Sequence, residues 1–337
     1  MTALRIGFIG AGGNTKLRHL PGFAALPEVE LVAVANRSVA SAQAVAADFG
    51  IQRVETDWRA IVAAEDIDAV CIGTWPDTHA EMTTAALAAG KHVLVEARMA
   101  RNVAEAETMI AAATAAPELV AQIVPSPFTL NFDAEIAHAV ATGEIGELRE
   151  VVVEHATAAN LDPVAPLTWR QDARISGVNT LSLGICYEPL LRWLPGDGEV
   201  LAADAVTFTQ ERPGAKGELR SVDVPDAVAI LGRWTGGARL AMQISSVEPG
   251  EGRLAYRLVG SNGTLHYDVL AGRAWVEYAV GGTLELPSAG LPEGGWQVEA
   301  DFVSSVRNGT PVRLTDFATG RRYMQFTETA RSAWQTK

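Results

Sequence analysis

A short glycine-rich stretch near the amino terminus has the residue types and the spacing of a phosphate-binding loop. It spans residues 10–15 (GAGGNT) and directly follows an apolar run with the character of a β-strand. In such a loop the first glycine permits a tight turn, and the second lets the backbone approach a pyrophosphate at the start of the next helix. Thr15 stands where a third glycine is usual. The pattern predicts a dinucleotide-binding site that uses Gly10, Gly12, Gly13, Asn14 and Thr15.

The residues after the second predicted strand indicate which dinucleotide this site would take. A carboxylate at this point usually hydrogen-bonds the ribose 2′-hydroxyl of NAD, whereas an arginine accommodates the 2′-phosphate of NADP. The sequence here is Asn36-Arg37-Ser38, with no carboxylate. These three residues favour NADP, and NAD is the alternative if Arg37 is only a solvated loop cation.

The elements around the loop alternate between strand and helix. Short apolar runs fall at residues 4–9, 30–35, 69–72, 92–95 and 119–124. Amphipathic, alanine-rich stretches lie between them, at residues 41–49, 58–64, 80–89 and 104–115. This alternation is typical of βαβ units that build a parallel sheet covered by helices on both faces. Residues 1–125 are therefore predicted to form a dinucleotide-binding Rossmann domain.

The pattern changes after residue 125. A long strand is predicted at residues 148–157, a helix at 180–194, and short strands, the first at 206–210, continue to residue 278. Gly236-Gly237 and Asn262-Gly263 are turn signals between strands. We therefore predict an α/β fold in which residues 126–337 form a second, substrate-binding and oligomerisation domain with an open, mainly antiparallel sheet.

Composition and charge narrow the class of protein. The 337 residues include 40 acidic and 27 basic side chains, for a formal net charge of −13. A protein that binds the nucleic-acid backbone needs a basic face, so this acidity argues against a nucleic-acid partner. Two isolated cysteines provide neither a disulfide framework nor the spacing of a metal site. Without a bilayer-length apolar stretch or a signal peptide, we expect a metal-free cytoplasmic protein with a small-molecule substrate and no membrane partner.

Two further segments resemble the glucose–fructose oxidoreductase/inositol dehydrogenase (Gfo/Idh/MocA) family. Its members carry the pattern T-P-x-x-x-H followed by G-K-H-V-L-x-E-K-P, and this chain has GTWPDTH at residues 73–79 and GKHVLVE at residues 90–96. The resemblance extends over most of the chain. It implies that the open sheet is an oligomer interface, so a homodimer or homotetramer is expected. It also implies cofactor contacts from Thr74, Trp75, His79 and Glu96.

The chain departs from this family at its acid–base positions. The catalytic lysine and the proline after it are replaced by Ala97 and Arg98, and an aspartate and a histidine of the second domain are replaced by Ser182 and Cys186. Oxidation of a carbinol by hydride transfer needs a base for the hydroxyl proton. Alanine and serine cannot serve as that base, so the family's usual mechanism is not available to this chain.

Three residues are candidates for the missing catalytic groups. Arg98, a permanent cation, could hold a carboxylate or polarise a carbonyl. Glu188 lies in an apolar segment, where an unpaired carboxylate is costly, so it either pairs with Arg98, Arg170 or Arg192 or acts as an acid or base. Cys186, with an ordinary pKa of about 8.5, would be a poor substitute base.

The predicted substrate-binding residues come from several segments. The spacing of Asn179, Ser182 and Cys186 would put them on one face of a helix. Trp169 could form a wall for a sugar ring, and the alternative is a surface cation–π pair with Arg170. His155 either points into the pocket or is a satisfied histidine of the sheet. The full set is Arg98, Phe128, His155, Trp169, Arg170, Asn179, Ser182 and Tyr187.

Three functions are compatible with these residues. The first is an NAD(P)-dependent oxidoreductase with non-standard catalytic residues, acting on a sugar, a cyclitol or an acid derived from one. The second is a redox-neutral lyase, epimerase or glycosidase that keeps its cofactor tightly bound. The third is a nucleotide-binding regulatory protein without turnover, an alternative motivated by the joint loss of lysine, aspartate and histidine.

Overall fold

The computed structural model describes residues 2–335, without the side chains of residues 292 and 293. These residues fold into two compact units. The first contains the chain up to Pro125 together with Gln297–Arg321, and the second contains Ser126–Trp296 and the chain from Arg322 onward. Among the described residues, no helix is long and apolar enough to cross a membrane.

Short strands form the sheet of the first unit: β1 (Leu4–Ile9), β2 (Val29–Ala35), β3 (Arg53–Glu55), β4 (Ala69–Ile72), β5 (His92–Val95) and β6 (Ala121–Ile123). Their order is β3-β2-β1-β4-β5-β6, and all neighbouring pairs run parallel. The strand order reverses between β1 and β4, which is where ligands bind in open parallel sheets. Every residue of β4 is buried, as expected for a parallel sheet covered on both faces.

Helices connect these strands: α1 (Leu20–Ala24), α2 (Val39–Phe49), α3 (Trp58–Ala63), α4 (Pro76–Ala88) and α5 (Val103–Ala115). A π-helical turn over Thr15–His19 leads into α1, so the glycine-rich loop runs directly into helical structure. The side chains of Ser38, Asp57 and Asn102 cap α2, α3 and α5 by accepting a backbone N–H. The predicted alternation of strands and helices is confirmed, with β3 as an additional strand too short to show a sequence pattern.

The described part of the second unit includes the helices α6 (Asp133–Ala141), α7 (Ala173–Ser176) and α8 (Leu183–Trp193). Its strands are β7 (Leu148–Ala156), β8 (Gly198–Val206), β9 (Glu211–Pro213), β10 (Leu219–Ser221), β11 (Ala227–Trp234), β12 (Arg239–Ser245), β13 (Arg253–Gly260), β14 (Gly263–Asp268), β15 (Arg273–Tyr278) and β16 (Thr283–Leu286). Eight of them form one sheet in the order β16-β15-β14-β13-β7-β12-β11-β8, in which only β7 and β12 run parallel to each other. The predicted open, mainly antiparallel sheet is confirmed.

Two predicted elements of the second unit have different bounds in the structure. The helix predicted from residue 180 begins at Leu183, because Leu181 has a φ of +49° that an α-helix cannot include. The strand predicted at residues 206–210 is wrong, since β8 ends at Val206. β8 is an edge strand with mostly exposed or half-buried side chains, so its sequence lacks a clear apolar alternation.

Two helices complete the described chain: α9 (Val298–Asn308) and α10 (Phe317–Gln335). Residues 297–321 were expected in the second domain, but they belong to the first unit. The physical reason is aromatic packing, since Phe302 of α9 lies edge-on to Phe23 with 6.2 Å between ring centroids. The rest of α10 belongs to the second unit, where Phe326 stacks on Tyr187 at 3.9 Å.

Candidate functional site

The first unit has a cleft of about 740 Å³ at the carboxyl ends of β1, β2, β3 and β4. The predicted cofactor residues that line it are Gly10, Gly12, Asn36, Arg37, Ser38, Thr74 and Trp75. It is also lined by residues that the sequence pattern did not indicate: Ser41, Thr56, Asp57, Trp58, Asp77, Thr78 and Met82. Three of these follow β3, so recognition of that short strand in the sequence would have pointed to them.

Backbone packing makes glycine necessary at the start of the loop. Gly10 has a φ of +80°, and a Cβ built on it would lie 2.3 Å from Cγ2 and 2.9 Å from the backbone nitrogen of Thr74. Asn36, which follows the second strand, holds the loop in place, because its Oδ1 accepts the N–H of Ala11 at 2.7 Å. Gly12 and Gly13 are exposed, and a Cβ on Gly13 would meet nothing within 4 Å.

These features fit the pyrophosphate of a dinucleotide. The N–H of Lys16 bonds the carbonyl of Gly12 at 3.0 Å, so helical bonding starts directly at the loop. The first N–H groups of a helical segment have no carbonyl to bond within it, and they attract an anion. The hydroxyl of Thr15 is buried against Gly73 and has no hydrogen-bond partner within the described chain. The third-glycine position therefore holds a packing residue of the loop.

An arginine and a tryptophan face each other at the end of the cleft formed by β2 and β4. The guanidinium of Arg37 lies 4.9 Å from the centroid of the Trp75 ring. The hydroxyl of Ser38 bonds that of Ser41 at 3.1 Å and also caps α2. This end of the cleft thus combines a cation, an aromatic face and two hydroxyl groups, which suit a phosphorylated adenosine.

Two residues expected to contact the cofactor have other partners. His79 is fully buried, and its Nδ1 lies 2.9 Å from the carbonyl of Arg98 while its Nε2 lies 3.2 Å from that of Thr74. It therefore joins two backbone segments and is absent from the cleft lining. Oε1 of Glu96 accepts hydrogen bonds from Asn14 at 2.5 Å and from His19 at 3.1 Å. Asn14 thereby ties the glycine-rich loop to the end of β5.

His19 is the centre of a buried charged group, which we call the His19 cluster and define as His19, Glu96 and Glu299. Nδ1 of His19 lies 2.5 Å from Oε1 of Glu299, and Nε2 lies 3.1 Å from Oε1 of Glu96. Burial by itself would lower the pKa of His19, but the two carboxylates outweigh it and raise the pKa to about 9. The same contacts hold the pKa of Glu96 below its usual value despite its burial. His19 is thus a fully buried imidazole held between two carboxylates, and no pattern in the sequence indicated this role.

A second group of predicted residues meets in the second unit. His155 lies at the end of β7, Ser182 directly precedes α8, and Cys186 lies in its first turns. Nδ1 of His155 is hydrogen-bonded to the hydroxyl of Ser182 and lies 3.7 Å from Sγ of Cys186. The ring of Phe128 is 5.8 Å from that of His155. We call His155, Ser182, Cys186 and Phe128 the His155 cluster.

Glu188 forms an ion pair with Arg192, one of the three arginines that the sequence offered as its partner. Its Oε2 lies 3.1 Å from NH2 of Arg192 and accepts the backbone N–H of Ser126 at 3.2 Å. Arg192 also pairs with Asp133 at 2.9 Å. Glu188 is only 2% exposed. The structure therefore shows the pairing with Arg192 that the sequence offered as one alternative, and a catalytic role for Glu188 stays a prediction.

Tyr187 was predicted to contact substrate, but it belongs to the core of the second unit. It is 1% exposed, its ring stacks on Phe326, and its hydroxyl accepts the backbone N–H of Gly198 at 2.7 Å. Asn179 is also buried and donates to the carbonyl of Ser176 at 2.7 Å. It precedes α8, so it does not share a helix face with Ser182 as its spacing suggested.

Three predicted site residues remain: Trp169, Arg170 and Arg98. The guanidinium of Arg170 lies 4.4 Å from the ring centroid of Trp169, and Arg170 is exposed, as in the surface cation–π alternative. Arg98 belongs to the first unit and is 8% exposed. Within the residues that the structure describes, no group of three or more histidine, cysteine, aspartate and glutamate side chains could hold a metal ion.

Comparison with known proteins assigns a family to each part of the chain. The model of the oxidoreductase family with an NAD-binding Rossmann fold, GFO_IDH_MocA, matches residues 4–123. The model of the GFO/IDH/MocA C-terminal domain matches residues 134–266. Together the two models match most of the chain, including both the glycine-rich loop and most of the His155 cluster.

Individual relatives agree with these matches. Levoglucosan dehydrogenase of Pseudarthrobacter phenanthrenivorans is 27% identical over 293 residues, 80% of this chain and 74% of its own length. A dTDP-3,4-didehydro-2,6-dideoxy-α-D-glucose 3-reductase of Streptomyces violaceoruber is 30% identical over 79% of this chain and 73% of its own length. The crystal structure of an oxidoreductase domain protein from Kribbella flavida has a TM-score of 0.90 at 25% identity, covering 100% and 98% of the two chains. The protein therefore belongs to the Gfo/Idh/MocA family, with an NAD-binding Rossmann domain in its first unit.

Proposed function

We propose that this protein is an oxidoreductase that prefers NADP and acts on a sugar, a cyclitol or an acid derived from one. The substrate class is supported by the relatives, which include a levoglucosan dehydrogenase, a deoxysugar-nucleotide 3-reductase and an inositol 2-dehydrogenase. The cofactor is supported by the residues that line the cleft of the first unit. Association into a homodimer or homotetramer through the outer face of the eight-stranded sheet, where Leu231 is exposed, is part of the same proposal.

The pair formed by Arg37 and Trp75 is the observation that carries the preference for NADP. Arg37 follows β2, where a carboxylate would bind the 2′-hydroxyl of NAD. Its guanidinium is held over the indole of Trp75. The side chain therefore loses little conformational entropy when it binds a phosphate. The hydroxyl groups of Ser38 and Ser41 supply further hydrogen bonds to the same phosphate.

The other residues of the cleft bind and orient the dinucleotide. The exposed backbone of Gly12 and Gly13 approaches the pyrophosphate, and Asn36 keeps the loop in place. When bound, a nicotinamide dinucleotide supplies the acceptor or donor of the hydride. Arg98 and the His155 cluster are the residues that we assign to the substrate, Arg98 as a permanent cation for a carboxylate or carbonyl oxygen.

Replacing Arg37 with leucine is expected to weaken NADPH binding by roughly 10- to 100-fold, the loss of one or two charge-assisted hydrogen bonds. NADH lacks the phosphate, so its dissociation constant should change by less than about threefold. Fluorescence titration of both cofactors measures the two values. The control is Arg59→Leu, because Arg59 also lies over a tryptophan, at 4.4 Å from the Trp58 ring, but is absent from the cleft lining. Equal weakening of NADPH and NADH binding by Arg37→Leu would contradict the assignment.

Turnover is tested with a panel of levoglucosan, inositols, hexoses and sugar acids, each with NADP⁺ and with NAD⁺. We expect absorbance at 340 nm to rise with at least one compound, and faster with NADP⁺ than with NAD⁺. If the protein binds NADPH but reduces neither cofactor with any member of the panel, the proposed function is wrong.

A further inference from the structure

The His155 cluster places an imidazole beside two positions at which the family pattern has acid–base residues. Position 186, which carries histidine in that pattern, holds the small side chain of Cys186, and an imidazole reaches the same place from β7. Val151 and Val153 of β7 are fully buried, and strand alternation puts His155 on their face of the sheet. The ring is thus directed towards the start of α8.

The two ring nitrogens of His155 have different surroundings. Nδ1 is hydrogen-bonded to the hydroxyl of Ser182, whereas Nε2 makes no hydrogen bond to the described part of the chain. The ring is half-buried, in contrast to the fully buried rings of His19 and His79. When Nδ1–H donates to Ser182, the lone pair of Nε2 is free to accept a proton from a ligand.

The surroundings of His155 favour its neutral form. Its contacts and its strand register identify five neighbours: Ser182 directly before α8, Cys186 in α8, Phe128 from the segment before α6, and its register partners Ile244 and Leu254. Within this described set Cys186 is the one titratable side chain, and no carboxylate, lysine or arginine is among the five. Burial lowers the pKa of His155, so the imidazole is neutral near pH 7.

We propose that His155 is the catalytic acid–base residue of the sugar oxidation, and that Ser182 is the positioning residue that holds its Nδ1. The assignment rests on the proposed function, because it concerns the same reaction. In the oxidation, the O–H bond of the substrate carbinol breaks and its proton goes to Nε2. A bound oxidised nicotinamide would supply the hydride acceptor: the hydrogen on the same carbon would leave with its electron pair, and a C=O bond would form. In the reduction His155 returns the proton to the carbonyl oxygen.

Cys186 does not take this role itself. Its side chain is fully buried, and it lies beside the ring without access to a ligand. Its small side chain leaves room for the imidazole of His155. A larger residue at position 186 would occupy that space. On this proposal Cys186 packs beside His155 and is not itself the catalytic residue.

The experiment compares wild-type protein with His155→Gln, using the panel sugar that the wild type turns over fastest. We expect kcat to fall by roughly 10²- to 10⁴-fold, the range for loss of a general acid–base, while the dissociation constant of NADPH stays within about twofold. The kcat/KM of the wild type should rise with pH through an apparent pKa below the ordinary value of His, and the variant should lack this limb. His138→Gln is the matched control, because His138 is exposed on α6.

Ser182→Ala provides the second variant, and it decides the question if His155→Gln does not fold. It should lower kcat and move the pH limb of kcat/KM, which a merely structural serine would not do. A His155→Gln variant with full kcat and an unchanged pH limb, or a Ser182→Ala variant with an unchanged limb, overturns this assignment alone. No turnover of any panel sugar by wild-type protein that still binds NADPH overturns the proposed function, and this assignment with it.

Discussion

Replacing His19 with leucine is expected to lower the free energy of unfolding by about 3–5 kcal/mol, the usual cost of removing one partner from a buried ion pair. The substitution removes the cation that lies 2.5 Å from Glu299 and 3.1 Å from Glu96, and both carboxylates keep their places in a poorly solvated region. Urea denaturation near pH 6.5 measures the difference. The exposed His138→Leu is the control and should change the free energy of unfolding by less than about 0.5 kcal/mol.

The same cluster makes stability depend on pH in the alkaline range. The pKa of His19 is raised in the folded protein to about 9, from an ordinary value of 6.5. Its stabilisation is therefore complete below pH 6.5 and is lost as pH rises through 9. At about 1.4 kcal/mol per pKa unit, this loss amounts to about 3 kcal/mol.

The double variant His19→Leu/Glu299→Leu separates this cause from other alkaline titrations. It removes the imidazole together with the carboxylate closest to it, so it should recover part of the stability lost by His19→Leu. It should also lack the decline of the unfolding free energy between pH 6.5 and 9. An equal decline in the wild type and the double variant would show that His19 is not the titrating group.

Replacing Gly10 with alanine is expected to weaken NADPH binding by more than about 100-fold, the loss of two backbone hydrogen bonds to phosphate. The new Cβ would lie 2.3 Å from Cγ2 of Thr74, and 2.9 Å and 3.0 Å from its backbone nitrogen and Cα. Backbone atoms cannot move aside as a flexible side chain can, so the loop itself must shift. We expect the free energy of unfolding to fall by about 3 kcal/mol, from overpacking and from the positive φ.

Gly90→Ala is the matched control for this prediction. Gly90 has a φ of +76°, close to the +80° of Gly10, but a Cβ there would meet nothing within 4 Å. It should therefore show the cost of the positive φ, about 1–2 kcal/mol, without any effect on NADPH binding. If Gly10→Ala binds NADPH as Gly90→Ala does, the close approach of the loop to Thr74 is not required for the cofactor.

The sequence determined the fold class, because its signals for local structure are short-ranged. Alternating apolar runs and alanine-rich helices predicted the strands and helices of the first unit, and turn signals predicted the hairpins of the second. The glycine-rich loop and Asn36-Arg37-Ser38 were recognisable because they directly follow the apolar runs of β1 and β2. Strands with little apolar periodicity were not predicted. β3 has only three residues, and β8 lies at the edge of its sheet.

The chemistry of the side chains was decided by tertiary structure. His19 and Glu299 are 280 positions apart, and His155 and Ser182 are 27 apart, so no local pattern joins them. Glu188 and Arg192, four residues apart on one helix, were the pair that spacing alone could suggest. Contacts between distant residues depend on which strands are neighbours and on which face each side chain lies. Tertiary packing, and not the sequence pattern, buried His19 between Glu96 and Glu299 and brought the imidazole of His155 to Ser182 and Cys186.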